Sequence, residues 1–239
     1  MRVSYISHDG FFIECADCCL LFDYWKGELP AASDKPIYIF ASHHHGDHYV
    51  PAIFDYGDLF PSASYILSDD IRPAREGDGV ILCRADETIE LPDLTVRTLG
   101  STDCGVAFLV KLRTGETIYH AGDLHLWLFG KEDTPEEAEE MTERFLHEID
   151  KLRGVKIDLA MLPLDPRQPR SQYWMGMDYC LRELAIAHAI PMHMWGRYGI
   201  IERFLQLPQT KAYAEKVIKI EKEGQSYEIS DGTPEFQRV

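Results

Sequence analysis

The feature that most constrains this chain is a dense group of metal-binding side chains placed directly after an apolar run. Residues 43–48 contain the pattern His43-x-His45-x-Asp47-His48. The preceding residues 36–41 are almost continuously apolar, which predicts a strand buried on both faces. Imidazole and carboxylate groups are the ligands that suit zinc, manganese or iron. The sequence therefore predicts a metal site on a loop at the end of a buried strand.

The order of the remaining elements predicts an α/β chain, with strands first and strand–helix alternation later. Apolar runs bounded by turn residues predict strands over residues 3–7, 11–15, 18–22, 36–41, 64–67, 79–83, 94–99, 106–112 and 117–120. In the second half we predict a strand over 157–162, a helix over 177–189, a strand over 190–194 and an amphipathic helix over 210–222. Sheets packed together with helices outside are expected, in a single domain spanning residues 1–239.

One helix is predicted with defined ends. Thr134 is a suitable N-cap, Pro135 occupies the first helical position, and Glu137 is spaced to close a capping box. Apolar residues then recur every three or four positions up to Leu152, and Gly154 ends the pattern.

Charge and composition exclude several classes of partner. The chain has 24 basic and 40 acidic side chains and a formal net charge of −16. This balance argues against nucleic acid, whose binding depends on basic side chains, and against an anionic membrane surface. The sequence shows neither a leader pattern nor a run long enough to span a membrane, so we expect a cytoplasmic protein. The six cysteines show no disulfide spacing and are expected to be reduced. Cys15-x-x-Cys18 joins two strand-like runs and is expected to be structural.

The His-x-His-x-Asp-His pattern after a buried strand resembles the signature of the metallo-β-lactamase superfamily. Phe11-Phe12-Ile13-Glu14 and Leu20-Leu21-Phe22-Asp23 are similar to that family's opening hairpin. His120-Ala121-Gly122-Asp123 is similar to its Gly-Asp segment, and Pro191-Met192-His193 is similar to its closing strand. Within the superfamily the chain most resembles the lactonase-like branch, which includes the ascorbate-6-phosphate lactonases. The resemblance implies a four-layer αββα sandwich with its site at one edge of the two sheets.

The resemblance also implies a site for two divalent metal ions, with zinc expected first and manganese or iron as alternatives. His43 and His45 would bind the first metal. Asp47, His48 and His193 would bind the second metal, with Asp123 bridging the two. Asp47 would in addition act in catalysis by accepting a hydrogen bond from the nucleophile.

One ligand of the family pattern is missing, because the family usually supplies a further first-metal histidine before the bridging aspartate. The only histidine between His48 and Asp123 is His120, in the strand that leads to Asp123. Asp103 could substitute as an oxygen ligand, or water could complete a weak first site. Alternatively, His8, His120 or His125 could reach the site from another loop.

The expected function is that of a metal-dependent hydrolase of the lactonase, esterase or phosphodiesterase kind. A metal-bridging hydroxide would attack a small ester, lactone or phosphoester. The substrate wall is predicted to include Asp165, Arg167, Trp195, Arg197 and Tyr198, although ordinary salt bridges would explain the arginines equally well. A thiolesterase of the glyoxalase type is a rival activity. A non-catalytic or single-metal binding or sensor protein is the rival from another class, and the sequence leaves a homo-oligomer open.

Overall fold

The protein is described here by a computed structural model that covers residues 1–77 and 79–229. The chain divides into two compact units. The first comprises Met1–Arg84 together with the segment from Lys222 onward, and the second comprises Ala85–Glu221. Each unit contains one β-sheet. The expectation of a single domain over residues 1–239 stays a prediction.

The sheet of the first unit has seven strands in the order β13-β1-β2-β3-β4-β5-β6. Their bounds are β1 Arg2–Ser7, β2 Gly10–Glu14, β3 Cys19–Phe22, β4 Ile37–Ala41, β5 Ala63–Ser68, β6 Val80–Cys83 and β13 Ser226–Glu228, and a short helix, α1, spans Ala52–Gly57. Strands β3 to β6 run parallel to one another, whereas β13, β1, β2 and β3 pair in antiparallel fashion. Every residue of β4 is buried, as its apolar sequence predicts.

This topology gathers three polar segments of the first unit at one edge of its sheet. Because β3 and β4 are parallel neighbours, the residues that follow them, Asp23 and the loop 42–48, leave the sheet at the same edge. Because β2 is antiparallel to β3 and pairs Phe11 with Phe22, the turn between β1 and β2 lies there too. One hydrophobic cluster of this unit, which includes Leu21, Ile39 and Phe54, packs on one face of the sheet.

The sheet of the second unit has six strands in the order β12-β11-β10-β9-β8-β7. Their bounds are β7 Thr88–Glu90, β8 Leu94–Gly100, β9 Val106–Leu112, β10 Thr117–His120, β11 Lys156–Pro163 and β12 Ala185–Met192, and the α-helices are α2 Pro135–Asp150, α3 Met175–Glu183 and α4 Gly199–Leu205. Strands β10, β11 and β12 are parallel. Asp123, Asp165 and His193 each follow one of these strands, so they share the edge of the sheet where parallel strands end.

Helix α2 begins as its sequence predicts. The Thr134 hydroxyl accepts a hydrogen bond from the Glu137 amide at 3.2 Å, and the Glu137 carboxylate accepts one from the Thr134 amide at 2.8 Å. Phe145 and Ile149 form the buried side of the helix. The capping box is therefore confirmed.

Two helix predictions are wrong. The helix expected over 177–189 ends at Glu183, and β12 begins at Ala185. The alternating small residues of segment 185–189 are compatible with a helix or a strand. The segment forms a strand because it pairs in parallel with β11, with Ala185 opposite Lys156. The helix expected over 210–222 is replaced by two short 3₁₀ turns, Pro208–Ala212 and Ala214–Lys216. The chain then becomes extended, and the Ile218 amide donates a hydrogen bond to the Ala189 carbonyl at 2.8 Å.

The predicted fold class is confirmed, since the chain combines two sheets with helices. Among the described residues, no helix has the length and apolar character needed to cross a bilayer.

Candidate metal centre

In the first unit, two histidines and two aspartates direct their side-chain tips toward one another. His48 Nε2 lies 3.3 Å from Asp9 Oδ2, and His8 Nε2 lies 3.5 Å from Asp47 Oδ2. His8 Nε2 is also 3.7 Å from Asp9 Oδ2. His8, Asp47 and His48 each offer one ligand atom, and these atoms lie within 4.8 Å of one another. Nitrogen and oxygen donors this close together form a candidate cation site.

A buried carboxylate behind this cluster orients His48. Asp23 accepts hydrogen bonds from the Ser42 amide at 2.7 Å and from the Ser42 hydroxyl at 2.6 Å. It also accepts one from the Nδ1–H of His48 at 2.8 Å. This bond places the proton on Nδ1 and leaves Nε2 of His48 as a lone-pair donor facing Asp9, as is common for metal-ligating histidines.

His43 and His45 form a second pair in the same unit. His43 Nδ1 lies 3.0 Å from the Ser42 hydroxyl, and His43 Nε2 lies 2.9 Å from His45 Nδ1. Burial, followed by the neighbouring His48, lowers the pKa of His43 to about 3. His43 is therefore neutral at pH 7, which is the form that binds metal ions.

The charges of the cluster formed by His8, Asp9, Asp47 and His48 favour the binding of a cation. Burial lowers the pKa of His8, but the nearby carboxylates Asp9 and Asp47 outweigh burial and raise it above its usual value. Burial raises the pKa of Asp47, but its contacts with His8 and His48 dominate and hold it below the usual range. Asp47 is therefore ionised at neutral pH.

The second unit holds a histidine that is oriented in the same way. The Nδ1–H of His193 donates to Asp165 Oδ2 at 2.8 Å, while His193 Nε2 lies 3.3 Å from Asp123 Oδ1. Asp165 is in turn held by the Arg167 guanidinium, with Nη2 at 2.6 Å and Nε at 2.8 Å from Oδ2. Burial raises the pKa of Asp165, but the hydrogen bonds from His193 and Arg167 outweigh it and keep the carboxylate ionised.

Backbone strain coincides with these side chains. Four non-glycine residues adopt a left-handed backbone here: His8 at φ 56°, Asp23 at 41°, His193 at 63° and Trp195 at 53°. Such conformations are unfavourable for residues with a side chain, and they recur at functional sites, where the surrounding structure enforces them. Their grouping around the oriented histidines supports a functional role for both clusters.

A groove of about 470 Å³ opens beside Asp123 within the second unit. It is lined by Thr102, Asp103, Asp123, Trp127, Phe129, Asp133, Glu137, Met141 and Arg167. The Trp127 indole donates to the Asp123 carbonyl at 3.0 Å, and its ring lies 5.4 Å from that of His193. The volume is within the range of small-molecule sites.

Comparison with known proteins identifies the fold. No protein-family profile matches the sequence, and no curated protein matches it. Igni18, a metallo hydrolase from Ignicoccus hospitalis, is 16% identical with a TM-score of 0.65, and the match covers 94% of this chain and 96% of that one. YhfI from Bacillus subtilis, a metallo-β-lactamase fold protein, is 15% identical with a TM-score of 0.60, covering 95% and 99%. The fold is that of the metallo-β-lactamases.

A third similar structure is that of a diiron enzyme. CmlA, a diiron β-hydroxylase from Streptomyces venezuelae, is 12% identical with a TM-score of 0.53, and the match covers 81% of this chain and 44% of that one. These likenesses concern the fold, and function depends on the residues of the site. Membership of the lactonase-like branch stays a prediction.

On this fold, the ligands predicted in the first unit, His43, His45, Asp47 and His48, lie together at one edge of the sheet. Asp123 and His193, predicted in the second unit, are likewise in contact with each other. His44 points elsewhere, since its ring is exposed and lies 2.9 Å from Asp70 Oδ2.

The residues considered for the missing ligand lie in different surroundings. His8 faces Asp47 and His48, the predicted second-metal ligands. Asp103 is exposed on the groove. His120 is buried in β10, where its Nδ1 accepts a hydrogen bond from the Gly122 amide at 3.1 Å. His125 Nε2 lies 2.8 Å from the Gln168 side-chain oxygen, and burial lowers its pKa to about 4.

The predicted substrate residues also differ in placement. Asp165 is fully buried and engaged by His193 and Arg167, which fits a positioning role better than a substrate contact. The Arg167 guanidinium lies 4.8 Å from the centre of the exposed Trp195 ring. Arg197 is exposed, and Tyr198 is partly exposed at the start of α4.

Sequence reasoning missed the roles of three residues. The sequence pattern assigns no ligand role to Asp9 and no histidine-orienting role to Asp23 or Ser42. The position of Asp23 is itself a sequence signal. An acidic residue that directly follows a buried strand lies beside the residues that follow the neighbouring parallel strand.

Proposed function

We propose that this protein is a metal-dependent hydrolase of small esters or lactones. As the resemblance implies, two divalent cations would be held by His43, His45, Asp47, His48, Asp123 and His193. The observation that carries the proposal is the shared arrangement of three histidines. In each of His43, His48 and His193, one ring nitrogen lies within hydrogen-bond distance of a side-chain oxygen. These oxygens belong to Ser42, Asp23 and Asp165 respectively. The other ring nitrogen faces a histidine or aspartate side chain.

The donor set fits divalent cations. His43 is held neutral, and Asp47 and Asp165 are held ionised, so ligands and supporting groups have the charge that metal binding requires. When bound, such cations lower the pKa of a water molecule and polarise the carbonyl or phosphoryl oxygen under attack. The half-buried Asp47 carboxylate would accept a hydrogen bond from that water and orient it.

The groove supports a neutral substrate rather than a phosphoester. Asp103, Asp133 and Glu137 line it with negative charge, and the positive charge of Arg167 is already paired with Asp165. A phosphate group would be repelled there, because like charges at short range in a partly desolvated groove are unfavourable. Trp127, Phe129 and Met141 supply an apolar wall for a carbon skeleton.

Elemental analysis of protein purified without chelator or affinity metal, followed by an ester, lactone and phosphoester screen, tests the proposal. Two metal equivalents per chain are expected, with turnover of esters or lactones that is lost on chelation and restored by adding metal. One equivalent or fewer without turnover on any ester or lactone would contradict it and favour the metal-binding or sensor function. Oxygen consumption by an iron-loaded sample would instead favour an oxidative role.

A further inference from the structure

We propose that His8 and Asp9 act with Asp47 and His48 as donors to one divalent cation, so that the first unit supplies four ligands to that ion. This inference rests on the proposed function insofar as Asp47 and His48 already belong to its ligand set. It adds two ligands from the turn between β1 and β2, and it assigns His8 to the cation bound by Asp47 and His48 rather than to the one bound by His43 and His45.

Three separations between these donor atoms are close to those of ligands on a common ion. With metal–ligand bonds of roughly 2.0–2.2 Å and angles between octahedral and tetrahedral values, two ligands lie about 2.8–3.6 Å apart. The distance from His48 Nε2 to Asp9 Oδ2 is 3.3 Å, and that from His8 Nε2 to Asp47 Oδ2 is 3.5 Å. The distance of 3.7 Å from His8 Nε2 to Asp9 Oδ2 is only slightly longer.

The donors are held in place by the chain around them. His8 and Asp9 are buried in the turn, at 3% and 0% exposure. A Cβ on Gly10, the next residue, would lie 3.0 Å from the Ser7 carbonyl and 3.4 Å from that of Asp23, so the turn packs tightly against the end of β3. The Asp23 bond orients His48. Such preorganisation is what a cation site needs, because the ligands then lose little freedom on binding.

Charge balance supports a divalent occupant. When both imidazoles are neutral, the carboxylates of Asp9 and Asp47 carry about two negative charges, and a nearby cation lowers the cost of burying ionised carboxylates. A divalent cation neutralises this charge and uses the lone pair on each ring. Protonation of His8 and His48 would neutralise the same negative charge. Measuring metal binding directly distinguishes a bound cation from protonated histidines.

The test uses His8→Asn and Asp9→Asn in the full chain, with His44→Asn as the matched control. Asparagine tolerates the positive φ of His8 better than most residues with a side chain but is too short to replace its imidazole nitrogen. Metal is removed by chelation, and folding of each metal-free variant is checked by circular dichroism and its melting temperature. Zinc affinity is then measured by competition with a chromophoric chelator, and cobalt(II) is bound to record its visible spectrum.

We expect His8→Asn and Asp9→Asn each to weaken one zinc equivalent by more than about 100-fold, beyond the 10- to 100-fold typical of residues that only orient ligands. The cobalt spectrum of His8→Asn should also change, because a nitrogen donor is lost. Wild-type affinity and an unchanged spectrum in both variants would overturn the inference. A weakening of about tenfold with an unchanged spectrum would also overturn it, since His8 would then only position Asp47. If His8→Asn does not fold, Asp9→Asn decides alone.

These outcomes are independent of hydrolysis. A wild-type protein that binds metal through His8 and Asp9 but turns over no ester or lactone contradicts the proposed function and leaves this inference standing. An active hydrolase whose variants bind zinc as the wild type does contradicts only the inference.

Discussion

His193 and Asp165 form a hydrogen-bonded pair, 2.8 Å from Nδ1 to Oδ2, although 28 residues separate them in sequence. Each follows one of the two adjacent parallel strands β11 and β12, so pairing of the strands brings the two side chains together. The bond presents His193 Nε2 to Asp123. Sheet register thus sets the orientation of a predicted ligand.

Replacing Asp165 with asparagine should weaken metal binding by about 10- to 100-fold, the usual effect of losing the partner that orients a ligating histidine. The amide cannot supply the negative charge that favours the Nδ1–H tautomer of His193. The measurement is zinc affinity by chelator competition. Asp150→Asn, a matched exposed change in α2, should bind zinc as the wild type does, and equal affinity in both variants would contradict the role assigned to Asp165.

Replacing Asp123 with alanine should abolish tight binding of at least one metal ion. Its carboxylate is the predicted bridge between the two ions, and it lies 3.3 Å from His193 Nε2. Metal content by elemental analysis checks the prediction. A variant that retains the full wild-type content would refute the bridging role.

Asp103 offers a test of the missing ligand. Its side chain is exposed on the groove, so Asp103→Asn should leave the metal content unchanged and reduce discrimination against negatively charged esters. The measurement is kcat/KM for matched neutral and anionic esters, together with elemental analysis. Selective loss of one metal equivalent would instead identify Asp103 as the oxygen ligand of the first site.

The capping box of α2 should contribute measurably to stability. Thr134→Ala removes the hydroxyl that accepts the Glu137 amide and should cost about 1 kcal/mol. For a chain of this size the melting temperature should fall by about 2–4 °C. Thr114→Ala, in an exposed turn, is the control and should change stability by less than about 0.5 kcal/mol. Equal effects in the two variants would show that the cap is not important.

Cys180 should make the protein less stable in alkali. Burial raises the pKa of its thiol from 9.0 to about 12. The native state therefore keeps the proton while the unfolded state releases it, so this contribution is complete below pH 9 and is lost as the pH rises toward 12. The melting temperature of the wild type should fall more steeply between pH 9 and 11 than that of Cys180→Ala. Parallel curves would contradict the prediction.

Local sequence predicted much of the fold because local physical chemistry decides those parts. The apolar run that forms β4 is short and ends in polar residues, which favours a central strand, and the cap at Thr134 needs only residues within one helical turn. The segment 185–189 could not be assigned in this way. Its alternating small residues suit a helix as well as a strand, and only pairing with β11 distinguishes them.

The sequence by itself determined the ligand types, since His43, His45, Asp47 and His48 are neighbours along the chain and their chemistry is inherent in the side chains. The tertiary structure alone decided which groups support them. Asp23 reaches His48, Asp165 reaches His193, and His8 with Asp9 reaches Asp47 and His48, because strand order and register bring segments far apart in sequence to the same sheet edge. Register is set by packing over the whole sheet, so a local pattern such as Asp23 after a buried strand places a residue at the sheet edge but does not identify its partner.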